Sequence, residues 1–129
     1  MKVERFEDLE IWQDSRELCQ LIYKITSVKP FCDDYKFRDQ IRAAGGSIMD
    51  NIAEGFGRGG NREFVNFLSI AKGSNDEVRS QSYRALDFHY ITTEVLAELL
   101  ERTDKISRKI SNFIGYLNST TFKGYKFKN

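Results

Sequence analysis

The chain has 129 residues, of which 40% are hydrophobic and 30% are charged, a composition that fits one folded domain and excludes a disordered chain. Its 20 Lys and Arg side chains are balanced by 19 Asp and Glu, so the overall charge favours no class of partner and only local clusters can do so. No apolar stretch of about 18 residues and no signal-peptide pattern occurs, which excludes a transmembrane helix and makes a cytoplasmic protein the expectation.

Apolar spacing and turn residues predict the first two helices. A helix is predicted over residues 6–25, with Asp8 as its N-cap and Pro30 in the loop that ends it. A second helix is predicted over residues 34–55, and the glycine-rich segment 55–60 is expected to end it, because glycine readily adopts the left-handed backbone of helix ends. The apolar stripe of the first helix is Leu9, Trp12, Cys19, Ile22 and Tyr23. That of the second is Phe37, Ile41, Ala44, Ile48 and Ile52.

Two further helices follow the glycine-rich segment. The third is predicted to begin with Asn61 as its N-cap and to end near residues 87–90. The fourth is predicted to begin at Thr92 or Thr93 and to end near residues 118–121. Four helices of similar length with short connections predict an all-α, up-and-down antiparallel four-helix bundle over residues 1–121. Residues 122–129 form a separate basic and aromatic C-terminal tail.

The core of this bundle is predicted from the most regular apolar positions. These are Phe37, Ile41, Ile48, Ile52, Phe64, Leu68, Leu99, Ile106, Ile110 and Phe113.

The sequence offers no recognisable catalytic, cofactor or metal site. His89 is the only histidine, and Leu86 stands where a Glu-x-x-His pair requires glutamate, so a ferritin-like di-iron centre is not expected. His89 is interpreted as a capping or surface residue. Cys19 and Cys32 are interpreted as reduced thiols, because two isolated cysteines make neither a disulfide framework nor a C-x-x-C site. We therefore expect a protein that is not an enzyme and has no cofactor.

Two local features leave more than one interpretation open. The segment 55–60 lacks the Lys-Ser/Thr pair of a phosphate-binding loop and is interpreted as a turn. Arg58 and Arg62 beside the start of the third helix give it an alternative role in phosphate contact. Gly45–Gly46 and Gly73, inside predicted helices, indicate close approach of another backbone, either within the bundle or between subunits.

The ordered set of polar and small residues along the chain resembles a known family. The likeness begins at residues 6–12, is strongest from Gln40 through Asn51–Gly55 to Gly57–Arg58, and continues to Glu77. These segments resemble the four-helix-bundle proteins named for the intervening sequences of bacterial 23S ribosomal RNA genes. They also resemble a relative of those proteins, the accessory variability determinant of diversity-generating retroelements. The resemblance covers nearly the whole chain, with Gly45–Gly46 smaller than the family pattern.

The resemblance implies a barrel-like homopentamer of bundles, no catalysis, and a link to nucleic acid. In one branch that link is gene context, and in the other it is reverse transcriptase and RNA binding. We therefore expect a non-catalytic oligomeric scaffold that binds RNA or a ribonucleoprotein. The predicted nucleic-acid-binding residues are Arg58, Arg62, Lys123, Lys126 and Lys128, the three lysines being interleaved with Phe122, Tyr125 and Phe127.

The alternative is a protein-interaction or structural module with no nucleic-acid role. The net charge of only +1 favours it, because dedicated RNA-binding proteins are usually more basic. Oligomerisation is predicted more weakly from residues that fall off the helical stripes, since a contiguous apolar patch would be buried between subunits. The candidates for this second apolar surface are Ile11, Trp12, Phe31, Val65, Phe88 and Tyr90.

Overall fold

The computed structural model describes residues 3–120, and the helices it contains are α1 (Glu10–Thr26), α2 (Tyr35–Arg58), α3 (Asn61–Asp87) and α4 (Thr93–Ser119). Short 3-10 turns at Phe6–Asp8 and Phe31–Asp33 precede α1 and α2. The described part of the chain contains no strand, and the all-α prediction is confirmed. The tail 122–129, with Lys123, Lys126 and Lys128, lies outside the described residues.

The helices pack as an up-and-down antiparallel bundle. α2 packs against α1 and α3, and α4 packs against α3 and α1, so neighbours in sequence are neighbours in space and the ring of helices closes. α4 runs antiparallel to α1, because Arg102 pairs with Glu17 whereas Lys109, further along α4, pairs with Glu10 at the start of α1. The predicted topology is therefore the observed one.

One continuous apolar core fills the bundle. Nine of the ten residues predicted for it are buried, and Phe113 is partly buried against it. Ile48 and Ile52 of α2 are fully buried, which confirms the face predicted for that helix. Each fully buried aliphatic side chain contributes about 1.5–3 kcal/mol of transfer free energy, so this shared core is what holds the four helices together.

The first helix differs from the prediction at its start and on its buried face. Asp8 lies in the 3-10 turn, where its carboxylate accepts hydrogen bonds from the backbone N–H groups of Glu4 and Arg5 at 3.2 Å each, and Leu9 is the N-cap of α1. Tyr23 is 63% exposed, while Trp12 is partly buried. The buried face of α1 consists of Ile11, Ser15, Leu18, Ile22 and Thr26.

The connection between α2 and α3 also differs from the prediction. α2 does not end at Gly55 but continues to Arg58, and its C-cap is Gly59, with a left-handed φ of 93°. Gly55 is required by packing instead, because a Cβ there would stand 2.5 Å from Cβ of Phe67. The N-cap of α3 is Gly60, and Asn61 is the first helical residue.

The turn from α3 to α4 is built around His89. Its φ of 63° is left-handed, the N–H of His89 donates to the carbonyl of Leu86, and the N–H of Tyr90 donates to the carbonyl of Ala85, both at 2.9 Å. These paired bonds close the C-terminus of α3 in a Schellman motif. Thr92 is then the N-cap of α4. The exposed position of His89 agrees with its interpretation as a capping or surface residue.

The prediction of a second apolar surface for subunit contact is wrong for two of its six residues. Ile11 and Phe31 are buried in the core of the single chain. The 3-10 turn before α2 folds back over the bundle end and places the ring of Phe31 4.9 Å from that of Tyr90. Phe88 remains half-exposed, so the predicted set divides between core and surface.

Candidate nucleic-acid interface

The end of α2, the start of α3 and the end of α4 meet at one end of the bundle, and the first two carry predicted binding residues. The end of α2 and the start of α3 bring Arg58 and Arg62 there. The side-chain amide of Asn61 donates to the carbonyl of Leu117 at 3.4 Å, which places the C-terminal end of α4 beside the start of α3. This end of α4 also shares a groove with Arg62. We call this surface, Arg58 and Arg62 with the adjoining C-terminus of α4, the basic end.

Arg58 is held in place on the last turn of α2. Its guanidinium donates to the Glu54 carboxylate at 2.9 Å and lies 5.0 Å from the ring centre of Phe67. The hydrogen bond to Glu54 raises the pKa of the Arg58 guanidinium above its ordinary value. The pair is exposed, so solvent screens it and it contributes little to stability. A phosphate could be bound by the remaining donors of this pre-positioned guanidinium.

Arg62 lies in the first turn of α3 and is exposed. Among the residues 3–120 no carboxylate pairs with it and no ring lies under it, so its donors are available to a ligand. An open groove of about 520 Å³ runs beside it between the start of α3 and the end of α4. The positive end of the helix dipole favours an anion there, although Glu63 in the same turn opposes one.

The polar and small residues in the middle of α2 have internal partners. The hydroxyls of Ser47 and Ser74 lie 2.9 Å apart, which ties α2 to α3. Within α2 the Asn51 amide donates to the Ser47 carbonyl at 2.8 Å. A Cβ on Gly45 would stand 2.8 Å from Cδ1 of Ile22, so Gly45 serves packing within the bundle. Gly73 has no atom within 4 Å of such a Cβ in the single chain.

Sequence reasoning missed a set of arginine–aromatic contacts on α1 and α2. The Arg42 guanidinium lies 4.4 Å from the ring centre of Tyr23 and joins α2 to α1. Within each helix, Arg16 lies 5.8 Å from the Trp12 ring centre and Arg38 lies 5.0 Å from that of Tyr35. The local pairs follow helical spacings of four and three residues and could have been found from the sequence. The contact between helices depends on the fold.

The described residues contain neither a metal-binding group nor a membrane-spanning helix. No three His, Cys, Asp or Glu side chains within residues 3–120 form a group that could hold a metal ion. None of the helices in that range has an apolar stretch that could cross a membrane. Of the predicted binding residues, the structure brings Arg58 and Arg62 to one end, and the lysines of the tail lie outside the described range.

Comparison with known proteins gives a family and a fold. A solved structure of a protein of unknown function from the S23 ribosomal protein family of Bacteroides thetaiotaomicron is similar to this chain, with a TM-score of 0.74, 23% identity, and coverage of 81% of this chain and 97% of that one. No curated protein matches. The family model described as 23S rRNA-intervening sequence protein matches residues 7–112. Since this match spans most of the chain, the protein belongs to the 23S rRNA-intervening sequence protein family.

Proposed function

We propose that this protein is a non-catalytic, oligomeric four-helix-bundle scaffold that binds RNA or a ribonucleoprotein through its basic end. The observation that supports the proposal is the contact between Asn61 and Leu117, which brings the end of α4 beside the start of α3 and Arg62. The basic tail follows this end of α4 in the sequence. The resemblance to the accessory variability determinant adds a class of partner, a ribonucleoprotein that contains a reverse transcriptase. A cytoplasmic location suits such a partner and forms part of the proposal.

Binding at the basic end needs only elementary contacts with RNA. Arg62 and the tail lysines Lys123, Lys126 and Lys128 supply cations for phosphates, while the aromatic residues between those lysines supply stacking surfaces for unpaired bases. No covalent step is required, so the proposed role is that of a scaffold.

Oligomerisation would raise the affinity for RNA, because the basic end of a single chain is small. The chain carries a net charge of only +1, so a single copy binds a polyanion weakly. A ring of identical subunits repeats the basic end around one rim and turns weak contacts into multivalent ones. The family resemblance gives the number five. Light scattering after size-exclusion chromatography is expected to give about five times the chain mass of 15.0 kDa, and a monomer at micromolar concentration would contradict this part.

The basic end is tested by a gel shift with a structured RNA and a pair of matched variants. Arg58→Gln combined with Arg62→Gln removes both arginines, and we expect weaker binding at every salt concentration. Arg108→Gln is the control, because Arg108 is also exposed and pairs with Asp104 at 2.9 Å in the same i,i+4 arrangement as Arg58 with Glu54. The double variant removes two charges and the control one, so a loss in Arg108→Gln of half or more of that in the double variant would assign the effect to net charge and would reject the basic end as the site.

A protein-interaction module without nucleic acid is the second candidate. Exposed apolar side chains favour it, notably Val28 in the α1–α2 connection and Ile70 on α3, which are 61% and 52% exposed. Co-purification from native cells with and without nuclease separates the two functions. A protein partner retained after nuclease treatment, together with no RNA binding at low salt, would favour this candidate.

A further inference from the structure

The outer face of α1 and α2 carries three aromatic rings, each with an arginine over it. Trp12, Arg16 and Tyr23 share one side of α1, since their spacings of four and seven residues return to the same side of a helix. Tyr35, Arg38 and Arg42 share one side of α2 for the same reason. We call these six residues the arginine–aromatic face.

The contact between Arg42 and Tyr23 joins the two helices into one surface. The Arg42 Nε donates to the Thr26 hydroxyl at 2.8 Å and its Nη2 donates to that of Ser27 at 3.2 Å, so the guanidinium is fixed against the ring. Tyr23 is 63% exposed despite this contact. A ring that is covered by a guanidinium yet largely exposed still offers surface to a further planar group. Tyr35 has the same character, with 66% exposure.

The acids of α1 point away from this face, but Asp50 of α2 acts electrostatically on Cys19, which lies on the same side of α1 as Arg16 and Tyr23. Glu10 and Asp14 accept hydrogen bonds from Lys109 of α4, both at 2.9 Å, and Glu17 pairs with Arg102. On α2, Asp39 is paired with Arg38 at 3.0 Å. Arg16 and Arg42 form no ion pair among the residues that the structure describes. Two guanidinium groups without an ion-pair partner therefore lie beside Trp12, which is partly buried, and Tyr23, which is exposed.

We infer that the arginine–aromatic face is a second nucleic-acid surface, which binds an unpaired RNA strand by stacking its bases on Trp12, Tyr23 and Tyr35. Arginine and aromatic side chains are the groups on which unpaired bases stack, and guanidinium groups also contact the phosphates between them. Trp12 and Tyr23 are 11 residues apart on α1, roughly 16 Å along the helix axis, so the face has room for several successive nucleotides.

This inference extends the proposed function to a different face of the bundle. Tyr35 and Arg38 lie at the start of α2, whereas Arg58 ends that helix and belongs to the basic end. Trp12 is near the start of α1 and so lies toward the same end as Arg58, because α1 and α2 are antiparallel. The arginine–aromatic face suits an unpaired strand, while the basic end combines phosphate contacts of Arg58 and Arg62 with the aromatic residues of the tail, so different variants test the two surfaces. RNA binding at one surface can therefore be lost while binding at the other is kept.

The test uses a ten-residue oligouridylate and the fluorescence of Trp12, the only tryptophan. We expect saturable quenching on addition of the oligonucleotide to the full chain, because a base stacks on the indole. Tyr23→Leu and Tyr35→Leu, both exposed positions, are each expected to weaken binding by at least about fivefold for the stack that is lost. Tyr83→Leu is the control, since Tyr83 is an exposed tyrosine of α3 with no arginine over its ring within residues 3–120.

The outcomes separate this inference from the proposed function. An absence of quenching, or equal affinity of all three variants, would overturn the inference, and so would a change in oligomer mass caused by Tyr23→Leu, which would make the face a subunit contact. Binding of structured RNA that depends on Arg58 and Arg62 would still stand in those cases. Quenching that is retained in the Arg58→Gln/Arg62→Gln protein, with unchanged binding of structured RNA, would support the face and reject the basic end.

Discussion

Gly55 and Gly57 lie two residues apart on α2, and alanine is expected to have opposite effects at the two positions. A Cβ at position 55 would stand 2.5 Å from Cβ of Phe67 and 3.0 Å from Cδ1 of Phe64. The Phe67 Cβ is fixed to the α3 backbone, so α3 itself must move. A Cβ at position 57 meets no atom within 4 Å.

The magnitudes follow from packing and helix propensity. Overpacking of a close contact costs about 1–3 kcal/mol, and this contact calls for the upper part of that range. Replacing a helical glycine by alanine gains about 1 kcal/mol. Gly55→Ala should therefore lower the free energy of unfolding by about 2 kcal/mol, which lowers Tm by about 8 °C for a domain of this size. Gly57→Ala should raise the free energy of unfolding by up to about 1 kcal/mol.

Guanidinium denaturation followed by circular dichroism measures both changes in the same buffer. Gly73→Ala is a further control, because a Cβ at this position of α3 also meets no atom within 4 Å. A Gly55→Ala protein at least as stable as the wild type would refute the close packing of α2 on α3. The three variants together separate a steric effect from a general effect of helix glycines.

Three further changes test the core, the turn and a buried thiol. Ile48→Ala should cost about 2–5 kcal/mol in unfolding free energy because Ile48 is fully buried, and a loss below about 0.5 kcal/mol would mean that the core face is misplaced. His89→Gly should raise Tm, because the left-handed φ of 63° costs a non-glycine residue about 1 kcal/mol, and a lower Tm for this variant would contradict the turn geometry. His89→Ala should leave RNA binding unchanged. Burial, and then the charge of Asp50, raise the pKa of Cys19 from 9.0 to about 11, so at about pH 8 its thiolate fraction is about 100-fold below that of an ordinary cysteine. In a Cys32→Ser protein, Cys19 should react more slowly with a disulfide reagent than a free cysteine does, and reaction at the rate of a free cysteine would contradict the desolvation of this partly buried thiol.

The spacing of apolar residues in α2 predicted its buried face correctly, because the residues that define the spacing have no polar group that would favour the surface. Positions such as Ile41, Ile48 and Ile52 are aliphatic, and such side chains gain only by burial. α1 was harder to predict because Trp12 and Tyr23 combine an apolar ring with a polar group. These rings lie at the edge of α1 beside arginines, so counting them as core residues displaced the predicted stripe.

The end of α2 was predicted at Gly55 instead of Arg58 because the glycines of this segment have different roles. Gly55, Gly57 and Gly59 look alike in the sequence, yet Gly59 alone among them has a positive φ and Gly55 is needed where α3 approaches. Local rules cannot separate a glycine that ends a helix from one that admits a neighbour, because the second requirement arises only from packing. By contrast, the meeting of Arg58 and Arg62 with the end of α4 follows from bundle topology, because both lie at one connection between antiparallel helices.

The measurement that tests the central claim most directly is the salt dependence of binding to a structured RNA, followed by fluorescence anisotropy of the labelled RNA. If the basic end contacts phosphates, the logarithm of the binding constant should fall linearly with the logarithm of salt concentration between about 50 and 200 mM. The slope should become shallower by roughly one to two in the Arg58→Gln/Arg62→Gln protein and stay unchanged in Arg108→Gln. No binding at the lowest salt, or a slope that neither variant changes, would contradict RNA binding through this end of the bundle.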